Sequence, residues 1–197
     1  TLYLTQDEVT SREAMMWAAT LAGTALNNAG TALPHGCSYP VSGGVKHGGA
    51  KKHYAPGSGY ANRAGGSSAP LLPHGYAVAV MAPAAFAATA AGSPERHLEA
   101  AALLGHTMAG RGGPSGRPSA AWAPDEIGDM LGEQVAAFVQ RAGDCPMGLA
   151  ELGFTSDDVP TMVQGTIVQQ RVLSVVPVAV DEELLAATFE RAIAGFR

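Results

Sequence analysis

The sequence predicts an all-α domain, and three observations carry that prediction. Apolar residues recur at helical spacing along most of the chain. Helix-start signals such as Ser93-Pro94-Glu95, Thr155 with Asp158, and Asp181-Glu182-Glu183 stand in front of several of those stretches. Strand evidence is confined to one β-branched run, Val172 to Val180, and Pro177 interrupts it. With 197 residues, 47% of them hydrophobic and 15% charged, the chain has the means to bury one true core. We read residues 1–197 as a single helical domain with a Gly-rich loop over 41–73.

Thr10 to Ala32 reads as a long alanine-rich helix, with Thr10 as N-cap and Glu13 at capping-box spacing. Ala18, Ala22, Ala25 and Ala29 form a small-residue stripe on it, for which tight core packing is the better explanation than a ligand. Pro34 then breaks the pattern. The loop 41–73 carries Gly43-Gly44, Gly48-Gly49, Gly57-Ser58-Gly59 and Gly65-Gly66. Ordering so many glycines is costly, and a loop of this length points to an excursion beside a site. Gly75 to Ala90 returns to helix. Ser93-Pro94-Glu95 opens the next, on which Leu98, Ala101, Ala102 and Gly105 are helically spaced and His97 is expected at the surface. Residues 110–120 form a flexible connector. Pro124-Asp125-Glu126 opens a helix with Ile127, Leu131, Val135 and Phe138 on one apolar face. Thr155 and Asp158 open a shorter one carrying Val159, Met162 and Val163. The Val172 to Val180 run is expected to be extended. Asp181 starts the last helix, with Leu185, Phe189, Ile193 and Phe196 facing inward.

Composition excludes several functions. A net charge of −5, with no basic face, gives no reason to expect nucleic acid. The most apolar run, Tyr76 to Ala91, is mostly alanine and carries Pro83, so we expect no membrane span. Two distant cysteines, Cys37 and Cys145, make no disulfide framework and suit a reducing compartment. The N-terminus lacks the basic region of a cleavable signal; it begins with Thr1, as a fragment or a trimmed product would. No strand, Gly-rich turn and helix follow one another, so the chain contains neither a Rossmann nor a P-loop site.

The candidate chemistry centres on two histidines in similar wrapping, Pro34-His35-Gly36 and Pro73-His74-Gly75. Histidine is the commonest protein metal ligand. Two imidazoles delivered from helix ends into one cleft are half of a metal site, since a closed zinc site takes four ligands and an open one usually three from protein. The other candidates are weaker. His35-x-Cys37 has neither the glutamate nor the Cys-x-x-Cys of a deaminase zinc site. Ser38 has no base at a recognisable spacing. His47 and His53 lie in the polar loop, and His97 and His106 on or after a surface helix. Lys46, Lys51 and Lys52 form a local basic patch, which a solvated loop explains best.

The run Asn28-Ala29-Gly30-Thr31-Ala32-Leu33-Pro34-His35-Gly36-Cys37-Ser38-Tyr39-Pro40-Val41-Ser42-Gly43, followed by Pro73-His74-Gly75-Tyr76-Ala77-Val78, resembles the metal-site region of iron-containing (group III) alcohol dehydrogenases. Within that superfamily the chain is most similar to hydroxyacid-oxoacid transhydrogenases. Pro94-Glu95-Arg96-His97-Leu98-Glu99, Leu149 to Phe154 with Asp158-Val159-Pro160, and Gly165-Thr166 with Gln170-Arg171-Val172 agree with that subgroup. The order holds from about residue 10 to the C-terminus.

The resemblance implies a dehydroquinate synthase-like helical domain, the C-terminal domain of such enzymes. An N-terminal dinucleotide-binding domain would be its partner and is absent from this chain. It implies a metal, Fe2+ by the family name but open to Zn2+ or another divalent ion, held by one Asp and three His. The last two His match His35 and His74; the Asp and the first His would lie upstream of Thr1. Many relatives carry a further His where this chain has Tyr39, so that residue's proton-relay role does not carry over, although Tyr39 could donate a hydrogen bond. The implied chemistry is hydride transfer between hydroxyacid or alcohol and oxoacid or aldehyde through NAD. Arg171 is the first candidate to grip a substrate carboxylate, because a guanidinium does so bidentately. The chain by itself is expected to be inactive. The alternatives are an NAD-dependent iron-containing alcohol dehydrogenase domain and a stand-alone helical binding module. Expected partners are small-molecule substrates and the missing nucleotide-binding domain, with no nucleic acid and no membrane; an apolar face bared along the first helix would invite self-association. The location implied is cytoplasmic in a bacterium and the mitochondrial matrix in a eukaryote.

Overall fold

A computed structural model of the chain describes residues 8–44, 72–105, 122–142 and 145–196. Among the described residues there are helices and no strands. The connector 110–120 and most of the Gly-rich loop lie outside the described residues.

Helix α1 spans Val9–Ala29. Its N-cap is Glu8, not Thr10: the Glu8 carboxylate accepts from the backbone N–H groups of Thr10 and Ser11. A carboxylate at that position satisfies two orphan donors and meets the positive end of the helix dipole. These hydrogen bonds hold the carboxyl down at about 2. The helix ends three residues before the expected Ala32, because Gly30 turns out of it at φ +78°. The alanine stripe does not pack into the core. Apart from Ser11, every residue of α1 is exposed, Trp17 and Leu21 included.

Helix α2 (Ala32–Gly44) follows at once. Pro34 does not break a helix here but sits in the first turn of one, where a missing N–H is not missed. Helix α3 (His74–Thr89) contributes Ala77, Val80, Met81, Ala84 and Ala85 to the core, against Leu33, Cys37 and Val41 of α2. Contrary to expectation, the stretch His74–Gly92 is long and apolar enough to cross a membrane by length and composition; 56% of it is buried within the fold. Its apolarity is that of a helix surrounded by other helices.

Helix α4 (Pro94–Leu103) starts where Ser93-Pro94-Glu95 places it. Helix α5 (Pro124–Ala142) packs Ile127, Met130, Leu131 and Val135 against Leu98 and Ala101 of α4 and against Ala90. Phe138, expected on that face, is half exposed instead and borders an apolar pocket with Tyr76 and Cys145, while Val139 beside it packs against the α4–α5 cluster. Gly128 lets α5 approach the α3 backbone, since a Cβ there would lie 2.5 Å from the Ala87 carbonyl oxygen. Helix α6 (Val159–Ile167) is preceded by the full capping box of Thr155 and Asp158. The β-branched run is not extended throughout: its first two residues close a short helix, α7 (Gln170–Leu173), that packs on α2. Helix α8 (Glu182–Ala194) is capped by the Asp181 carboxylate on the Leu184 N–H and drives Leu185 and Phe189 fully into the core.

Candidate metal centre

His35 lies in the first turn of α2 and His74 is the first residue of α3. The two helices pack side by side, so both rings arrive at one place although 39 positions separate them in sequence. Their ring centroids are 5.3 Å apart, with the planes inclined at 60°. His35 is half-buried and His74 exposed, which puts the pair at the rim of the helical body.

Three local features fix this arrangement. Gly36 allows α2 to seat on α7: a Cβ would fall 2.9 Å from Leu173 Cδ2 and 3.4 Å from Val172 Cγ2. The Ser42 hydroxyl donates to the Leu72 carbonyl, and the Leu72 N–H donates back to the Ser42 carbonyl at 3.3 Å. That two-way link ties the segment entering α3 to the second half of α2. Ser38, fully buried, donates to the His35 carbonyl at 2.7 Å and lies 3.3 Å from His74 Nδ1.

The electrostatics favour a neutral His35 ring. Burial pushes the His35 pKa down, and the nearby His74 adds to that; the Thr31 backbone carbonyl opposes it. His35 Nδ1 is buried, and the Thr31 backbone carbonyl is a hydrogen-bonding neighbour of the ring. A neutral imidazole is the form that binds a metal. Two converging imidazoles are therefore donors that suit a divalent cation, as part of its ligand set. Among the described residues no third His, Cys, Asp or Glu joins them.

Tyr39 comes to the same place. Its ring centroid is 5.7 Å from that of His74, and the side chain is exposed. Arg171 stands on α7, whose Val172 and Leu173 touch the α2 backbone, but its own side chain is exposed and no contact joins it to either histidine. Cys37 is sealed in the core; burial drives its thiol up to about 12, the Thr166 hydroxyl pulling the other way, so it offers no thiolate. His97 is not a surface residue. It is buried, with Nδ1 donating to the Ser93 carbonyl at the start of its own helix at 2.8 Å, while Nε2, 3.0 Å from the Thr89 hydroxyl, ties α4 to α3. His47, His53, His106, Lys46, Lys51 and Lys52 lie outside the described residues. Ser38 is the contact that sequence reasoning passed over; its three-residue offset from His35 on one helix face was the available signal. A cavity of about 610 Å³ between α5 and the end of α8 shares no residue with the pair.

No family model matches the chain. Its sequence is 36% identical over 184 residues to the mitochondrial hydroxyacid-oxoacid transhydrogenase of Rattus norvegicus, covering 93% of this chain and 34% of that protein. It is 36% identical over 185 residues to the Homo sapiens enzyme of that name, with 93% and 34% covered, and 37% identical over 184 residues to that of Xenopus laevis, with 93% and 35% covered. The chain thus spans about a third of the length of these curated relatives. Among solved structures, 1,3-propanediol oxidoreductase superposes with a TM-score of 0.65 at 22% identity, over 94% of this chain and 39% of that one. That likeness shows the fold, which is all-α among the described residues. Over the third of their length that it matches, the chain is similar to hydroxyacid-oxoacid transhydrogenases.

Proposed function

We propose that this chain is the metal-holding helical part of a hydroxyacid-oxoacid transhydrogenase, with NAD bound by a domain outside it. The observation that carries the reading is the convergence of the His35 and His74 rings, with centroids 5.3 Å apart. His35 and His74 would hold a divalent ion, Fe2+ or Zn2+, together with an Asp and a His contributed from outside this chain. When bound, the ion would supply electrostatic stabilisation of the charge that develops on the substrate oxygen during hydride transfer.

The chain's own residues do the positioning. Gly36 and the Ser42–Leu72 link hold the two rings in register. Burial keeps His35 neutral and ready to coordinate. Tyr39, against His74, could donate a hydrogen bond to substrate oxygen at the exposed rim. Over a full cycle a hydroxyacid would lose hydride and a proton, and an oxoacid would gain both, with the nicotinamide returned to its starting state. The relatives' names include mitochondrial; a matrix location is the corresponding proposal for this chain.

The test uses the longer protein that carries this chain. Turnover of 4-hydroxybutyrate with 2-oxoglutarate and no added NAD, abolished in His35→Ala and His74→Ala, supports the reading. Oxidation of a simple primary alcohol that requires added NAD would assign an ordinary alcohol dehydrogenase. Absence of both, with no bound metal by elemental analysis, would leave a helical binding module.

A further inference from the structure

We infer that Ser38 is the positioning residue that sets the tautomer of His74 and so presents its Nε2 lone pair for coordination. The inference rests on the ligand role proposed above for His74. Its argument is donor arithmetic. A serine hydroxyl has one proton to give and lone pairs to receive. Ser38 Oγ is 2.7 Å from the His35 carbonyl oxygen, which can only accept, and 3.3 Å from His74 Nδ1, which can do either. The short contact therefore takes the proton. Toward His74 the hydroxyl can only accept, which requires Nδ1 to carry hydrogen. In a neutral imidazole with Nδ1–H, the lone pair lies on Nε2.

The alternative has the Ser38 proton on His74 Nδ1. It would give up the 2.7 Å bond for the 3.3 Å one, leave the His35 carbonyl without this partner, and block coordination through either nitrogen. Ser38 is fully buried, so water does not replace it in either role. The same hydroxyl thus touches both candidate ligands: the backbone of one and the ring of the other. Outer partners of this kind fix ring orientation and typically carry 10–100-fold of metal affinity.

The test compares wild type, Ser38→Ala, Ser156→Ala and His74→Ala in the longer protein that carries this chain. Zn2+ affinity is read by competition with a chromophoric chelator, and ring tautomers by NMR of histidine labelled with 15N. Ser38→Ala removes one buried oxygen and should leave the fold intact, checked by circular dichroism. The expected results are a Zn2+ dissociation constant 10–100-fold higher and, in the metal-free protein, a shift of His74 from Nδ1–H toward Nε2–H. Ser156→Ala loses an exposed bond to Glu190 outside the site and should leave the His74 tautomer unchanged; a shift there equal to that of Ser38→Ala would overturn the inference. Unchanged affinity and tautomer in Ser38→Ala, with His74→Ala losing Zn2+, would sink the role of Ser38 and leave the metal site standing. Wild-type Zn2+ affinity in His74→Ala would remove both.

Discussion

Replacing Gly128 by alanine sets two effects of opposite sign against each other. In a helix interior, alanine is favoured over glycine by about 1 kcal/mol. At this position the added Cβ would lie 2.5 Å from the Ala87 carbonyl oxygen and 3.1 Å from Ala87 Cα. Ordinary contact begins at 3.4 Å, so 3.4 − 2.5 = 0.9 Å must be found. The obstacle is backbone, so no side-chain rotation can supply it; α5 must move off α3. Overpacking a close interface costs about 1–3 kcal/mol, and the rigid partner places this case at the upper end. The net is a loss of about 2 kcal/mol, and for a chain of this size each kcal/mol lowers Tm by about 2–4 °C. Thermal unfolding followed by circular dichroism should therefore show Tm lower by roughly 4–8 °C. Gly23→Ala on exposed α1, where an added Cβ meets nothing within 4 Å, is the control and should hold or slightly raise Tm. A Gly128→Ala protein as stable as wild type would refute the claim that glycine is there for close approach.

Two further predictions concern titrating groups. Glu8, ordinarily near 4.5, is held at about 2 by its bonds to the first turn of α1. A depressed carboxyl contributes its stabilisation in full above the unfolded value and loses it as pH falls through the folded one. The Thr10 and Ser11 amide resonances should accordingly titrate near pH 2; titration at 4.5 would disprove the cap, and Glu8→Gln should fray the first turn at neutral pH. Cys37, at about 12, carries roughly one thiolate in ten thousand at pH 8 and is fully buried. Iodoacetamide should leave it unmodified until the protein unfolds, while half-buried Cys145, at about 11, reacts slowly and first; prompt alkylation of Cys37 in folded protein would contradict the packing of α2 on α3 and α6.

What the sequence made legible divides by physical cause. Local capping signals hold at two helix starts, the box of Thr155 and Asp158 and the Asp181 cap, whose partners are three residues away; they miss at α1, where Glu8 caps in place of Thr10, and Ser93 marks the start of α4 without a side-chain cap bond. Signals that depend on what a face meets do not. The alanine stripe of α1 reads as core, yet α1 is exposed; His97 reads as surface, yet Thr89 and Ser93 engage both its nitrogens. The order of residues gave no means to see that Gly128 faces Ala87, or that Phe138 borders an apolar pocket and stays half exposed. The convergence of His35 and His74 was legible only through the resemblance, since nothing in spacing brings positions 39 apart into contact.

The site is built before any ion reaches it. Both candidate ligands stand at the starts of helices whose flanks are locked by backbone contacts, Gly36 on α7 and Ser42 on Leu72. Such locking matters because a ligand on a loop must be ordered at the moment of binding, whereas a ligand on a packed helix has met that cost during folding. The lowered His35 pKa belongs to the same arrangement: the fold accepts a half-buried ring beside a second imidazole. Two histidines 39 positions apart meet at 5.3 Å, and one buried hydroxyl, that of Ser38, touches the backbone of the first and the ring of the second. That shared, pre-packed contact is the strongest physical argument that the His35–His74 pair is kept for binding.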